Sequence, residues 1–325
     1  MPSVSRLDRR SIEKSEEVRK LLQNRIAESK LTMPITTVYA LIVWLLSGVL
    51  TNHWWWQFAC FAITCYLMVE LNNINALIRI FSRMVSSAFL VLTCCACFLF
   101  PALHEAVMLT CLTAFVTMLF LTYQNKGAAG ITYYAFLLFG VASVAYVHIL
   151  FFLPLIWLMM ITNTMSLSWR TWIASLLGLL TPYWFGAVWV IYQYDYALII
   201  DHFTALTDFE EPFNLYGITG YQKATLGLII LMAVISTIHF IRKNYLDKIR
   251  TRMFYGFFIW MDLAALVFLL LQPQHFNAML LIMILSTSPL IAHFVALTST
   301  KLTNITFLVL STATLLLTAY NLWIS

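Results

Sequence analysis

The sequence predicts an all-α fold, a polytopic bundle of transmembrane helices, and three observations lead to that class. Hydrophobic residues make up 62% of the 325 residues and charged residues only 10%. Soluble domains carry about 25% charged residues, so this composition excludes an ordinary soluble protein. Apolar stretches that approach the roughly 20 residues of a membrane span recur along nearly the whole chain. Finally, basic residues are confined to the N-terminal segment and to the connections between apolar stretches.

The N-terminal segment differs in kind from the rest of the chain. Residues 1–30 hold eight Lys/Arg and five Asp/Glu. Apolar residues between Ile12 and Ile26 recur at helical spacing. We therefore predict a charged cytoplasmic segment over residues 1–34, either an interfacial helix or a solvated tail. The transmembrane domain then comprises residues 35–325.

Apolar segments of the transmembrane domain predict about eleven spans. They lie near 35–51, 54–69, 84–100, 106–123, 131–148, 151–166, 172–192, 224–241, 253–271, 277–296 and 305–323. The fifth and sixth are the hardest to divide, because no charged residue lies between Gly130 and Arg170. If 130–170 holds one span, the count is ten and the C-terminus changes side.

The positive-inside rule favours eleven spans over ten. With the N-terminus cytoplasmic, 18 of the 19 Lys/Arg fall on the cytoplasmic side, and only Lys223 lies outside. Ten spans would move Arg170, the basic cluster of 242–252 or Lys301 to the outer side. We therefore predict a cytoplasmic N-terminus and an outer C-terminus.

One aspartate lies in the middle of a predicted span. The stretch FFIWMDLAAL, residues 257–266, carries Asp262, and no charged residue lies within nine positions on either side. An ionised carboxylate at the bilayer centre costs at least about 2.5 kcal/mol on insertion scales. Such a group is therefore expected to be protonated, paired or open to water.

Hydroxyl residues of the next two spans fall at about the depth of Asp262. We predict a mid-membrane polar site made of Asp262, Ser286, Thr287, Ser288, Ser311, Thr312 and Thr314. One interpretation is a proton- or ion-coupled site, or a polar contact for a substrate in the bilayer. The other is a hydrogen bond between helices, worth about 0.6–2 kcal/mol, that fixes their packing.

The outer loop 193–223 is a second candidate site because it gathers acidic residues. Its candidates are Asp195, Asp201, His202, Asp208, Glu210 and Glu211. These side chains are suited to collect a divalent cation or to act on a lipid headgroup. Alternatively, acids accumulate there because basic residues are excluded from the outer side.

No motif in the sequence indicates a cofactor or a metal. The six cysteines lie in apolar segments without the spacing of a zinc site, and the histidines show neither HxxxH nor HExxH. The loop QNKGAAG, residues 124–130, lacks the Lys-Ser/Thr ending of a phosphate-binding loop. We expect no cofactor, no metal and no nucleic-acid partner.

The middle of the chain carries a family resemblance. It reads YAFLLFGVASVAYVHILFFLPLIWLMM, then SLSWRTW, then LLGLLTPYWF. This pattern resembles a family of polytopic bacterial inner-membrane proteins to which no activity is assigned. More distantly, it is similar to multi-spanning glycosyltransferases and polysaccharide polymerases that use lipid-linked sugars. Those enzymes place a catalytic acid in the first outer loop, whereas here that loop is Thr51, Asn52 and His53. The resemblance therefore implies that an enzyme of this type would use loop 193–223.

Three function classes follow for a protein of a bacterial inner membrane. The first is transport or flipping of a cell-envelope precursor through the Asp262 site. The second is an enzyme acting on lipid-linked sugars at the outer face. The third is a non-catalytic assembly or scaffold subunit. The expected partners are the lipid bilayer and, depending on the class, a lipid-linked precursor or other membrane proteins.

Overall fold

The structure, a computed structural model, describes residues 21–194, 197–298 and 300–324. The described residues are 82% helical and contain no strand, as expected of a helical bundle. The helices are α1 (Leu22–Glu28), α2 (Thr32–Leu46), α3 (Trp55–Asn75), α4 (Met84–Cys95), α5 (Leu103–Phe120), α6 (Ala129–Ala145), α7 (Leu153–Thr162), α8 (Trp169–Gln193), α9 (Ala197–Thr204), α10 (Gly220–Lys243), α11 (Ile249–Leu271), α12 (Phe276–Leu297) and α13 (Lys301–Ile324).

Six helices among the described residues are long and apolar enough to cross a membrane: α5, α8, α10, α11, α12 and α13. A seventh span is obtained if α1 and α2, which meet at a bend of 89°, are taken together. Three further apolar helices are shorter, namely α4, α6 and the stretch Val147–Thr162. Each of the eleven predicted segments thus contains a helix, while the number that span a membrane stays a prediction.

Helix α12 is the centre of the bundle. It packs against α4, α5, α10, α11 and the short α1. Almost every residue from Phe276 to Ala296 is buried, including its four-residue polar run, Ser286 to Pro289. A helix that is apolar on every face is expected in the interior of a protein.

Helices α6 and α8 pack closely because two glycines face the partner backbone. A Cβ atom at Gly140 would lie 2.7 Å from the Leu179 carbonyl oxygen, and one at Gly178 would collide with the Tyr133 carbonyl oxygen. Small residues let helix backbones approach closely in membranes. The Gly…Pro span of the family resemblance therefore contributes packing residues at this interface.

The C-terminal end of α12 is held by two amide side chains of α1. The Gln23 side chain donates to the Thr298 hydroxyl at 2.8 Å, and the Asn24 side chain donates to the Thr298 carbonyl at 2.7 Å. Gln23 is fully buried. The last residues before the expected first span thus form part of the bundle, and residues 1–20 of the predicted N-terminal segment lie outside the described residues.

Candidate functional site

Asp262 lies on the face of α11 that packs against α12. Its residue surface is 7% exposed. The Thr287 hydroxyl donates to the two carboxyl oxygens, at 3.2 Å to Oδ1 and 3.3 Å to Oδ2. The turn Gln272–His275 makes α11 and α12 neighbours and so brings these two residues together. In the described part of the chain, Thr287 provides the carboxyl with its hydrogen-bond donor.

A groove beside Asp262 separates α10 from α11. Both helices pack on α12, and Met283 of α12 contributes to the groove between them. The groove has a volume of about 220 Å³, and its walls are apolar apart from Thr237 and Asp262. Val234 and Leu263, on opposite walls, are about half exposed on the outside of the bundle. The carboxyl therefore borders a space that opens on the outside of the helix bundle.

The other two predicted hydroxyls of α12 are buried, and among the described residues neither donates a hydrogen bond to Asp262. Ser288 donates to the Ile284 carbonyl one turn earlier. Ser286 is 1% exposed and lies beside Thr287 in the buried run. Of the three α12 hydroxyls in the prediction, Thr287 is the one that contacts the carboxyl.

The hydroxyls of α13 lie in a different place. Ser311 and Thr314 line an apolar cavity of about 210 Å³, together with Met84 of α4 and Ile291 of α12. Thr312 is exposed and donates to the Leu308 carbonyl of its own helix at 2.8 Å. In the structure Thr287 therefore contacts Asp262, whereas the α13 hydroxyls lie at the apolar cavity or on the exposed side of their helix.

The acidic residues of the outer loop are spread over its surface. Asp195 lies outside the described residues. The exposed members are Asp201, Asp208, Glu210 and Glu211. His202 is partly buried, and its Nε2 lies 3.5 Å from the Tyr183 hydroxyl. Burial lowers the pKa of the His202 imidazole, and the nearby His148 ring adds to that effect.

Beneath this loop, three side chains form a cluster that sequence reasoning missed. The His148 and His275 rings lie 3.8 Å apart between centroids. The Tyr146 hydroxyl lies 2.7 Å from His275 Nδ1, and His148 Nε2 lies 3.0 Å from the Ala205 carbonyl of the loop. Burial lowers the pKa of the His275 imidazole to about 4, and the charge of Asp208 only partly opposes this shift. His148 is the last residue of the predicted span 131–148, and His275 lies between the predicted spans 253–271 and 277–296, so both were expected near the outer surface.

Glutamine side chains fasten the loop over this cluster. The Gln274 side chain donates to the Asp208 carbonyl at 2.8 Å, and the backbone N–H of Glu210 donates to the Gln272 side chain at 3.0 Å. The loop backbone is thereby held on the turn between α11 and α12, with its acidic side chains exposed.

No group of three or more His, Cys, Asp or Glu residues in the described ranges is arranged to hold a metal ion. Comparison of the chain with protein-family models, with curated proteins and with solved structures finds no match. The site geometry is therefore the basis for any statement of function.

Proposed function

We propose that this protein transports or flips a cell-envelope precursor across a bacterial inner membrane. In this proposal the chain has eleven spans, with the N-terminus in the cytoplasm and the C-terminus outside. The segregation of 18 of the 19 Lys/Arg to one side supports that topology. The family resemblance of residues 134–185 supports an envelope precursor, such as a lipid-linked sugar, as the substrate class.

The observation that carries the proposal is a buried carboxyl at the edge of a groove that opens on the outside of the helix bundle. Asp262 lies near the middle of α11, where retaining an ionisable group is costly. A hydrogen bond that only holds two helices together does not require a carboxylic acid, because a neutral hydroxyl or amide side chain can form it. The groove walls suit an acyl or isoprenoid chain, and the carboxyl offers one polar contact to the group that the chain carries.

The test is complementation of a strain from which the gene is deleted. We expect the deletion strain to accumulate lipid-linked envelope precursors, measured by mass spectrometry of lipid extracts. The wild-type gene should abolish that accumulation, whereas Asp262→Asn should not. Asp201→Asn, which changes an exposed acid of the outer loop, is the matched control and should complement like the wild type.

Membrane content of each variant is measured by immunoblot so that loss of function is separated from loss of protein. Full complementation by Asp262→Asn at normal protein content would overturn the proposal. Absence of any precursor accumulation in the deletion strain would favour an assembly subunit instead.

A second candidate function is an enzyme that acts on lipid-linked sugars at the outer face. The cluster of Tyr146, His148 and His275 under the acidic loop favours it, because imidazole and phenol groups serve as general acids and bases. For this function, His275→Gln and Asp208→Asn should fail to complement while Asp262→Asn succeeds. The two candidates thus predict opposite outcomes in the same assay.

A further inference from the structure

A second buried acidic site lies at the opposite end of α12 from the histidine cluster. Asp247, in the turn between α10 and α11, lies 2.9 Å from His293 of α12, measured from Oδ2 to Nε2. The side chains are 1% exposed for His293 and 3% for Asp247. Removing one member of a buried pair leaves the other without its partner, which is costly in a protein interior.

Two ring nitrogens beside this pair have no hydrogen-bond partner among the described residues. They are Nδ1 of His293 and Nε2 of His239, on the facing helix α10. The two ring centroids lie 6.0 Å apart. Leaving a buried polar group unsatisfied costs about 1–3 kcal/mol. Two such nitrogens on neighbouring rings offer hydrogen-bonding partners for a water molecule.

The surroundings of the pair combine aromatic rings with few charges. The Tyr255 ring of α11 lies 4.9 Å from the His293 ring, and its hydroxyl donates to the Leu77 carbonyl, outside the pair. The titratable and charged groups that face the pair are His239 and Lys243 of α10, Asp247 itself and Tyr255 of α11. On α12 the pair lies six residues beyond Thr287, about 9 Å along the helix axis.

We propose that Asp247, His293 and His239 form a proton-exchange site that supplies the proton of Asp262. The inference rests on the proposed transport function and names its coupling ion as H⁺. A neutral His293 donates its Nε2–H to the Asp247 carboxylate. Its other ring nitrogen, Nδ1, accepts a proton that water carries from the side of His239. The resulting imidazolium, balanced by Asp247, then releases one proton that converts the Asp262 carboxylate into the acid. Histidine suits this role because each imidazole has two ring nitrogens, so it can accept a proton at one and give up a proton at the other.

The test uses dicyclohexylcarbodiimide, an apolar reagent that modifies protonated carboxyl groups. The full-length protein is labelled in right-side-out and in inverted membrane vesicles, with the pH varied on one side at a time. Modification of Asp262 is measured by peptide mass spectrometry. We expect the labelling rate to follow the pH on the Asp247 side, with a change of up to about tenfold per pH unit.

In His293→Gln the response to pH on the Asp247 side should be lost. Asp247→Asn keeps a hydrogen-bond acceptor and removes the charge, so it should weaken the same response. His104→Gln changes an exposed histidine before α5 and should behave like the wild type. If His293→Gln fails to accumulate in the membrane, Asp247→Asn and His239→Gln decide the question.

An unchanged pH response in these variants, or labelling that follows the pH of the opposite side, would overturn the inference. Both results leave the proposed function standing if Asp262→Asn still fails to complement the deletion strain. Complementation by Asp262→Asn would instead remove the transport proposal, whatever the labelling shows.

Discussion

Helices α12 and α13 carry nearly the same polar run in very different surroundings. The run reads LSTSPL at 285–290 in α12 and LSTATL at 310–315 in α13. In α12 every residue of the run is buried. In α13 only Leu310 and Thr314 are buried, and Thr312 is exposed.

The difference shows that the neighbours of a hydroxyl, more than its sequence context, determine what it binds. Helix α12 is surrounded, so the Thr287 hydroxyl reaches the Asp262 carboxyl on another helix. Helix α13 packs against α4, α10 and α1 on one side only. The hydroxyls of Thr312 and Thr314 therefore donate hydrogen bonds to backbone carbonyls of their own helix, at 2.8 Å and 2.7 Å.

The largest effect is expected when bulk is added to equivalent serines of the two runs. Ser286→Leu forces a larger side chain into the packed centre and should destabilise the protein by about 1–3 kcal/mol. Ser311→Leu extends into the apolar cavity of about 210 Å³ and should be neutral or stabilising. Chemical unfolding in detergent micelles, followed by tryptophan fluorescence, measures both. Equal destabilisation by the two variants would contradict the contrast between the helices.

A smaller effect is expected for the hydrogen bond between α11 and α12. Thr287→Val keeps the volume and removes the donor to Asp262, which should cost about 0.6–2 kcal/mol. In a double-mutant cycle with Asp262→Asn, the Thr287 effect should depend on the residue at 262. Thr314→Val is the matched buried control, and its effect should add to that of Asp262→Asn within about 0.5 kcal/mol. A coupling of equal size at both threonines would place the α13 hydroxyls in the Asp262 site after all.

The smallest effect is expected at the exposed threonine of α13. Thr312→Val should change the free energy of unfolding by no more than about 0.5 kcal/mol, because the residue lies on the outside of the bundle. The same unfolding experiment measures it. A loss of more than about 1 kcal/mol would show that this face of α13 is covered in the membrane, by another protein or by a second copy of the chain.

Particular residues show how far the site was predictable. Hydropathy was sufficient to single out Asp262, and the short α11–α12 turn made Thr287 a reasonable neighbour. The α13 hydroxyls matched Asp262 in depth, but depth does not specify which side of a helix faces the bundle. The pair Asp247–His293 was not foreseen, since 46 positions separate the two residues in the chain. Its partner His239 comes from yet another helix.

By itself, the sequence determined the helical membrane class, the positions of the apolar helices and the isolation of one acid within a span. These properties are local, because they depend on composition and periodicity over some twenty residues. Only the tertiary structure decided that α12 is central, that Thr287 is the partner of Asp262 and that Asp247 meets His293. Between membrane helices every face is apolar, so hydrophobicity does not distinguish the faces that pack together. The faces that pack together are determined by shape complementarity, small residues and a few hydrogen bonds between helices. These contacts form only when the helices are assembled.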